Sequence, residues 1–257
     1  MTAFAFASAT TLAILAGFGA NLKDSSQAFL RFAWLRDKGL FQPSSIVDVG
    51  ANRGSWTAST AKVWPGASFF MVEANEQHKA ALERCLQRNP PNRTRFTFRM
   101  LGDVSGNRTM YMSKQRFKYT AHTGNSLFLE NKNRDMFEPR VKQMSTLDDL
   151  VAEYAIPPPD VLKIDAQGAE LLVLAGASKT LASVHVLLLE LAVVQYNLGA
   201  PIFFEVHAAA ERLGFRAFDV SELHYTNGIL IQIDIMFVRK TSRLWDRATT
   251  GYEPPPV

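Results

Sequence analysis

The chain has 257 residues, 47% of them hydrophobic and 20% charged, which excludes a disordered or collagen-like protein and leaves enough apolar material for a sizeable core. A single cysteine, Cys85, excludes an internal disulfide or a cysteine-based zinc site and points to a reducing, cytoplasmic compartment. The net charge of +4 is too mild to announce a nucleic-acid partner, and none is expected.

Residues 1–22 carry no charge, and the first basic residue is Lys23. No positive region precedes this apolar run, so it lacks the layout of a secretory signal. It is long enough to span a bilayer, yet much of it is Ala, Ser, Thr and Gly. A helix packed on the domain or on a partner subunit is the favoured reading, ahead of peripheral membrane contact and then of a cleaved signal. Asp24-Ser25-Ser26 offers a helix N-cap, apolar residues recur at helical spacing from Ala28 to Leu35, and Gly39 stops the run. Residues 1–43 are therefore expected to form an N-terminal helical extension.

A strand over 44–49 runs into a glycine-bearing loop, followed by a helix over 55–63, a strand over 67–72 and a helix over 75–88. Asn89-Pro90-Pro91-Asn92 reads as a turn, and residues 95–101 alternate with period two as a third strand. Between Lys79 and Lys118 ten basic residues face two acids; solvated element faces explain this better than a basic surface for an anionic substrate or a membrane. Residues 102–145 carry short strand-like pieces, 108–112 and 141–144, around a polar loop from Ser113 to Asn133, long enough to suggest a functional or mobile segment. Alternation resumes with a helix over 146–154, a strand over 160–164, a helix over 168–181, a strand over 184–190 and a helix over 201–213. A strand over 215–220 follows, and the Asn227-Gly228 turn leads into a last strand over 230–238. The proline-rich end, 252–257, is expected to be disordered. Strands alternating with helices predict an α/β fold, a doubly wound and mainly parallel sheet over 44–240, with one antiparallel strand in the edge region and a tail over 241–257.

Ligands in such sheets bind at the carboxyl ends of the strands. The loop D-V-G-A-N-R-G (48–54) lies there, and Gly50 and Gly54 suit close backbone approach. Asn52 stands where the dinucleotide fingerprint needs its second glycine, which argues for a cofactor with an amino-acid tail rather than a pyrophosphate. Asp48 suits an ammonium group or its bound water. Glu73, at the end of the second strand, suits ribose hydroxyls, and Asp103, after the third, suits an adenine amino group. Each acid alone has an ordinary reading as a surface or turn carboxylate; their recurrence at successive strand ends is the signal.

These segments, with G-D-V-S-G (102–106), G-N-S-L-F (124–128), T-L-D-D-L (146–150), L-K-I-D-A-Q-G-A-E-L-L-V-L-A-G-A (162–177) and V-Q-Y-N-L-G-A-P (194–201), resemble the FkbM family of S-adenosylmethionine-dependent methyltransferases over roughly residues 44 to 240. The resemblance implies a seven-stranded, Rossmann-like class I methyltransferase sheet, S-adenosylmethionine as cofactor, and methyl transfer to a hydroxyl, often on a sugar or natural product. The acceptor partner would be a small molecule or saccharide. Ala166-Gln167 departs from the Val-Glu of many relatives and removes a carboxylate.

Methyl transfer to a hydroxyl benefits from a general base. Asp165, expected beside both methyl group and acceptor, is the first candidate, weighed evenly against an N-cap for the helix near Gly168. Glu190 is similarly divided between substrate contact and capping. His122 is a conceivable base on the polar loop, His207 and His224 are weaker candidates, and His185 reads as a core histidine. Tyr196 and Asn197 are placed in the substrate pocket, and Asn125 and Ser126 on a lid over cofactor or substrate. Asp165 and Glu190 could together touch a divalent cation, but two oxygen donors are too few, so no metal ligand is assigned. A catalytically silent cofactor-binding or scaffold protein is the alternative function.

Overall fold

A computed structural model describes residues 27–88, 93–114, 124–132, 134–246, 249 and 251. The segments 1–22, 89–92 and 252–257 read above lie outside the described residues.

Seven strands form the main sheet: β1 (Ser45–Val49), β2 (Ser68–Glu73), β3 (Thr94–Phe98), β7 (Val161–Ile164), β8 (Val186–Ala192), β9 (Phe215–Thr226) and β10 (Ile229–Arg239). Their order is β3-β2-β1-β7-β8-β10-β9, parallel except for β10, which runs antiparallel to both neighbours and stands one place in from the edge. The central strands are apolar on both faces because both are covered. Val47, Val49, Leu162, Ile164, Leu187 and Leu189 point into one cluster, and Ile46, Val161, Val186, Leu188 and Met236 into another.

Helix α1 (Gln27–Asp37) brings Ala28, Phe32, Ala33 and Leu35 into that second cluster. Phe32 meets Trp64 with ring centroids 4.6 Å apart. The other crossovers are α2 (Ser55–Val63), α3 (Lys79–Arg88), α4 (Leu147–Glu153), α5 (Glu170–Ala175) and α6 (Phe203–Arg212). The helix expected over 168–181 is shorter: α5 stops at Ala175, and a 3₁₀ turn covers Thr180–Ala182.

The strand expected over 95–101 splits. Beyond Phe98, Met100–Leu101 (β4) leaves the main sheet and pairs with β6 (Phe137–Ser145), which also pairs with β5 (Gly106–Ser113). Four methionines, Met100, Met110, Met112 and Met144, pack together in this small sheet. Burying them diverts the chain at Arg99 and moves everything after it off the line of β3.

Candidate functional site

A cavity of ≈ 200 Å³ lies at the carboxyl ends of β1, β2 and β7. It is roofed by residues 124–127 and bordered by Gly50, Asn52, Glu73, Asp165 and Gln167. Gly50 has φ +74°, and a Cβ there would stand 1.8 Å from the Asp165 carbonyl oxygen, so the backbones of two loops touch. The Gly50 and Ala51 amides both donate to the Val72 carbonyl, at 2.9 and 3.1 Å. Asn52, at φ +51°, donates its amide to Glu73 Oε2 at 2.6 Å, and Asn75 donates to Oε1 at 2.7 Å. The Glu73 carboxylate thus borders the cavity with both oxygens tied to backbone amides. Burial raises its pKa in spite of those donors.

The roof is held from below. Ser126 Oγ donates to the Gln167 carbonyl at 2.6 Å, and Asn197 Nδ2 donates to the same oxygen at 2.8 Å. Ser126 borders the cavity with its hydroxyl engaged inward. Asn197, expected in the substrate pocket, is buried, and its amide positions the loop instead. Tyr196 likewise turns away from this cavity: its hydroxyl meets Glu190 Oε1 at 3.4 Å and accepts from Gln232 Nε2 at 2.5 Å.

Three more expected contacts fall elsewhere. Asp48 does not reach the cavity. Side chains alternate along β1, so Val49 faces it and Asp48 points to the opposite face, where it is 1% exposed and accepts from Thr57 Oγ1 at 2.7 Å. Gly54 caps α2 at φ +78°, and a Cβ there would stand 2.9 Å from the Cys85 sulfur, so this glycine serves helix packing. Asp103 is exposed and outside the cavity wall, because the split at Arg99 carries it away. His122 lies outside the described residues, and His185 is exposed at the start of β8, not in the core. Sequence reasoning missed His78 and Arg99, which border the cavity. Arg99 appeared only in a count of basic residues, and nothing local marks a strand break.

Asp165 stands where the cavity meets a buried polar row. Lys163 Nζ lies 3.2 Å from Asp165 Oδ2 and 3.5 Å from Asp48 Oδ1. Gln167 Nε2 donates to both Asp165 Oδ1 at 3.0 Å and Glu190 Oε1 at 2.9 Å. Gln232 Nε2 also donates to Glu190 Oε1. Burial works to raise the Asp165 pKa, but the Lys163 charge and these donors outweigh it and hold it below the usual range. Glu190 goes the other way, driven well up by burial and then by the charges of Asp165 and Asp234. The Gln167 amide occupies the place between the two carboxylates that a shared cation would need.

Asp165 is not the helix cap: Ala169 stands at that position, without a side-chain cap. Glu170, the first residue of α5, ties down the loop before it, its Oε1 accepting from the Ala166 and Gly168 amides at 3.0 and 3.1 Å. Burial pushes its pKa from 4.5 up to about 7. Below pH 4.5 the group is protonated folded or unfolded. As pH rises from there to about 7, the folded state keeps a proton that the unfolded state has lost, so stability drains away through that window. Glu170→Gln keeps an Oε1 acceptor for both amides and removes the titration. The variant is expected to be more stable than wild type by on the order of 2–3 kcal/mol at about pH 8 and to converge on it near pH 4. Urea midpoints across that range check this; parallel curves for the two proteins would refute it.

A family model, the methyltransferase FkbM domain, matches residues 48–223. No curated protein matches the chain. Among solved structures, the chain is similar to magnesium protoporphyrin IX methyltransferase from Synechocystis with bound SAM (13% identity, 90% of this chain and 92% of that one, TM-score 0.47). It is also similar to precorrin-6y C5,15-methyltransferase from Geobacter metallireducens (14%, 81% and 86%, TM-score 0.42). A third is an O-methyltransferase family protein from Burkholderia thailandensis (9%, 83% and 55%, TM-score 0.43).

Proposed function

The chain belongs to the FkbM family of methyltransferases, and from that membership we propose that it is an S-adenosylmethionine-dependent O-methyltransferase acting on a hydroxyl of a saccharide or glycosylated metabolite. The observation that carries this reading is the cavity at the strand ends, where the Gly50 loop, Glu73 and Asp165 converge. Its lining fits an adenosyl amino acid: the Glu73 carboxylate, an acceptor of several hydrogen bonds, borders the cavity where ribose hydroxyls would lie, and the Gly50 turn admits a ligand against bare backbone. Bound S-adenosylmethionine would supply a methyl group on a sulfonium, ready for in-line displacement.

The chain's own contribution is position and exclusion of water, and good orientation is worth about 7–11 kcal/mol. The roof of residues 124–127, tied to the Gln167 carbonyl through Ser126, closes the cavity over the reacting groups. Asp165, held ionised by Lys163, accepts and aims the acceptor hydroxyl. Its low pKa makes it a weak base near neutrality, because proton transfer is best served by a group titrating close to the working pH. Glu190 has the higher pKa and stands behind Asp165; the Gln167 amide donates to both carboxylates and so fixes their spacing and the aim of Asp165.

Calorimetry with S-adenosylhomocysteine tests the reading. Folded wild-type chain should bind it, and Glu73→Ala should weaken binding by about 10–100-fold, the worth of a charged hydrogen-bond acceptor. Failure of the folded wild-type protein to bind overturns the proposal. Binding without transfer to any member of a hydroxyl-acceptor panel favours the silent, cofactor-binding alternative.

A further inference from the structure

A second polar cluster lies on the sheet face that carries Asp48. Strand register sets Asp234 directly opposite Glu190 on β8 and Glu222 on β9, and sets Gln232 opposite His224. Directly opposed residues share a face, and like charges placed this way repel. Lys163 offsets the repulsion only in part: its field reaches Glu190, Glu222 and Asp234, but its ammonium group lies against Asp165 and Asp48. Facing Asp234 instead is His224, with Nε2 3.3 Å from Asp234 Oδ1. Apart from each other, neither of those two atoms has a hydrogen-bond partner among the described residues. Ligand atoms of Glu190, His224 and Asp234 all lie within 4.8 Å of one another.

A separate observation points to an occupant. The pairing of β9 with β10 steps from Glu222–Asp234 to Val220–Ile235, which leaves Ser221 as a bulge. Ser221 is 2% exposed, and its hydroxyl has no hydrogen-bond partner among the described residues. It borders a cavity of ≈ 20 Å³ together with Lys163, Asp165, Glu190, Glu222 and Asp234, room for one water-sized particle. An orphaned buried hydroxyl on a small space lined by four carboxylates and one ammonium group is unfavourable unless something polar fills it.

We propose that Glu190, His224 and Asp234 form a binding site for one divalent transition-metal ion, Zn²⁺ or Mn²⁺, beside the Ser221 cavity. Bonds of 2.0–2.1 Å at tetrahedral angles put neighbouring ligand atoms about 3.3 Å apart, and the His224–Asp234 separation is 3.3 Å. One imidazole with two carboxylates suits these ions better than Ca²⁺ or Mg²⁺, which take oxygen ligands. A dication would also relieve the opposed charges of Glu190, Asp234 and Glu222. The site does not rest on the methyltransferase reading: its ligands come from β8, β9 and β10, and only Glu190 touches the Asp165–Gln167 side.

The test uses full-length chain freed of metal by chelation, titrated separately with Zn²⁺ and Mn²⁺ by calorimetry, with the thermal midpoint followed in parallel. One of these ions should bind at one per chain and raise the midpoint. Asp234→Asn and His224→Gln, on different strands, should each weaken binding by at least about tenfold. In metal-free protein Asp234→Asn should leave the midpoint unchanged or raise it, because it removes an opposed charge; a merely structural carboxylate would show a loss. No binding of either ion at millimolar concentration, or equal affinity in wild type and both variants, overturns the proposal. Should one variant fail to fold, the other and the wild-type stoichiometry still decide.

Discussion

Gly50→Ala is expected to abolish S-adenosylhomocysteine binding and to lower folding stability by about 3–5 kcal/mol. Two costs combine at this position. The backbone lies at φ +74°, a left-handed conformation that any side chain strains. The larger cost is spatial, because the new methyl group would stand 1.8 Å from the Asp165 carbonyl oxygen. That neighbour is backbone and has no rotamer to yield. It is fixed in turn by the Asp165 amide, which donates to the Val49 carbonyl at 3.1 Å. Relief therefore requires the β1 and β7 loops to separate, opening the cavity wall on both sides of the proposed methyl group. Gly199 makes the informative control: it also has positive φ, +77°, but a Cβ there meets nothing within 4 Å. Gly199→Ala should show the conformational cost alone, about 1–2 kcal/mol, with ligand binding retained. Denaturant midpoints and calorimetry separate the two, and equal losses in both variants would refute the close-approach argument.

The same loop shows what the chain discloses before folding and what it withholds. Glu73 was readable because a buried run ending in an acid fixes both the strand and its carboxyl end. Asp48 was one position from the truth: period-two alternation already sets it on the face opposite Val49, and only its place in a glycine motif suggested otherwise. Asp103 could not be placed, because the break at Arg99 depends on pairing Met100 and Leu101 with residues 144 and 145, some forty positions away. The partners of Glu190 were hidden for a similar reason. The Asn227-Gly228 turn sets β9 against β10, but Gln232, Asp234 and His224 reach Glu190 only because β10 then pairs antiparallel with β8, and no local pattern specifies that register. Segments whose neighbours are close in sequence were legible, while contacts made by the sheet's non-sequential order were not.

Lys163→Met is expected to destabilise the protein by about 3–5 kcal/mol near neutral pH, the cost of leaving buried charges without their partner. Lys163 is a lysine in an otherwise apolar central strand, and burial alone would discharge it. Asp165 and Asp48 outweigh that tendency and raise its pKa. The dependence is mutual. Asp48 is 1% exposed, and even with Lys163 3.5 Å away its pKa is raised by burial. Without the ammonium group Asp48 must fold largely protonated, so the folded state binds a proton that the unfolded state releases above its ordinary carboxylate pKa. The variant's deficit should therefore be small at acid pH and widen as pH rises through and beyond 4. Adding Asp48→Asn supplies an uncharged amide whose oxygen can still accept from Thr57, and the double variant should recover at least about 2 kcal/mol of the loss. Asp165 would remain unpaired but partly exposed, so water supports it, which is why recovery is expected to be large although incomplete. Urea titrations of the four proteins of this cycle decide the matter. A flat pH dependence for Lys163→Met, or no rescue by Asp48→Asn, would mean that the buried pair does not set the stability of the sheet beneath the cavity.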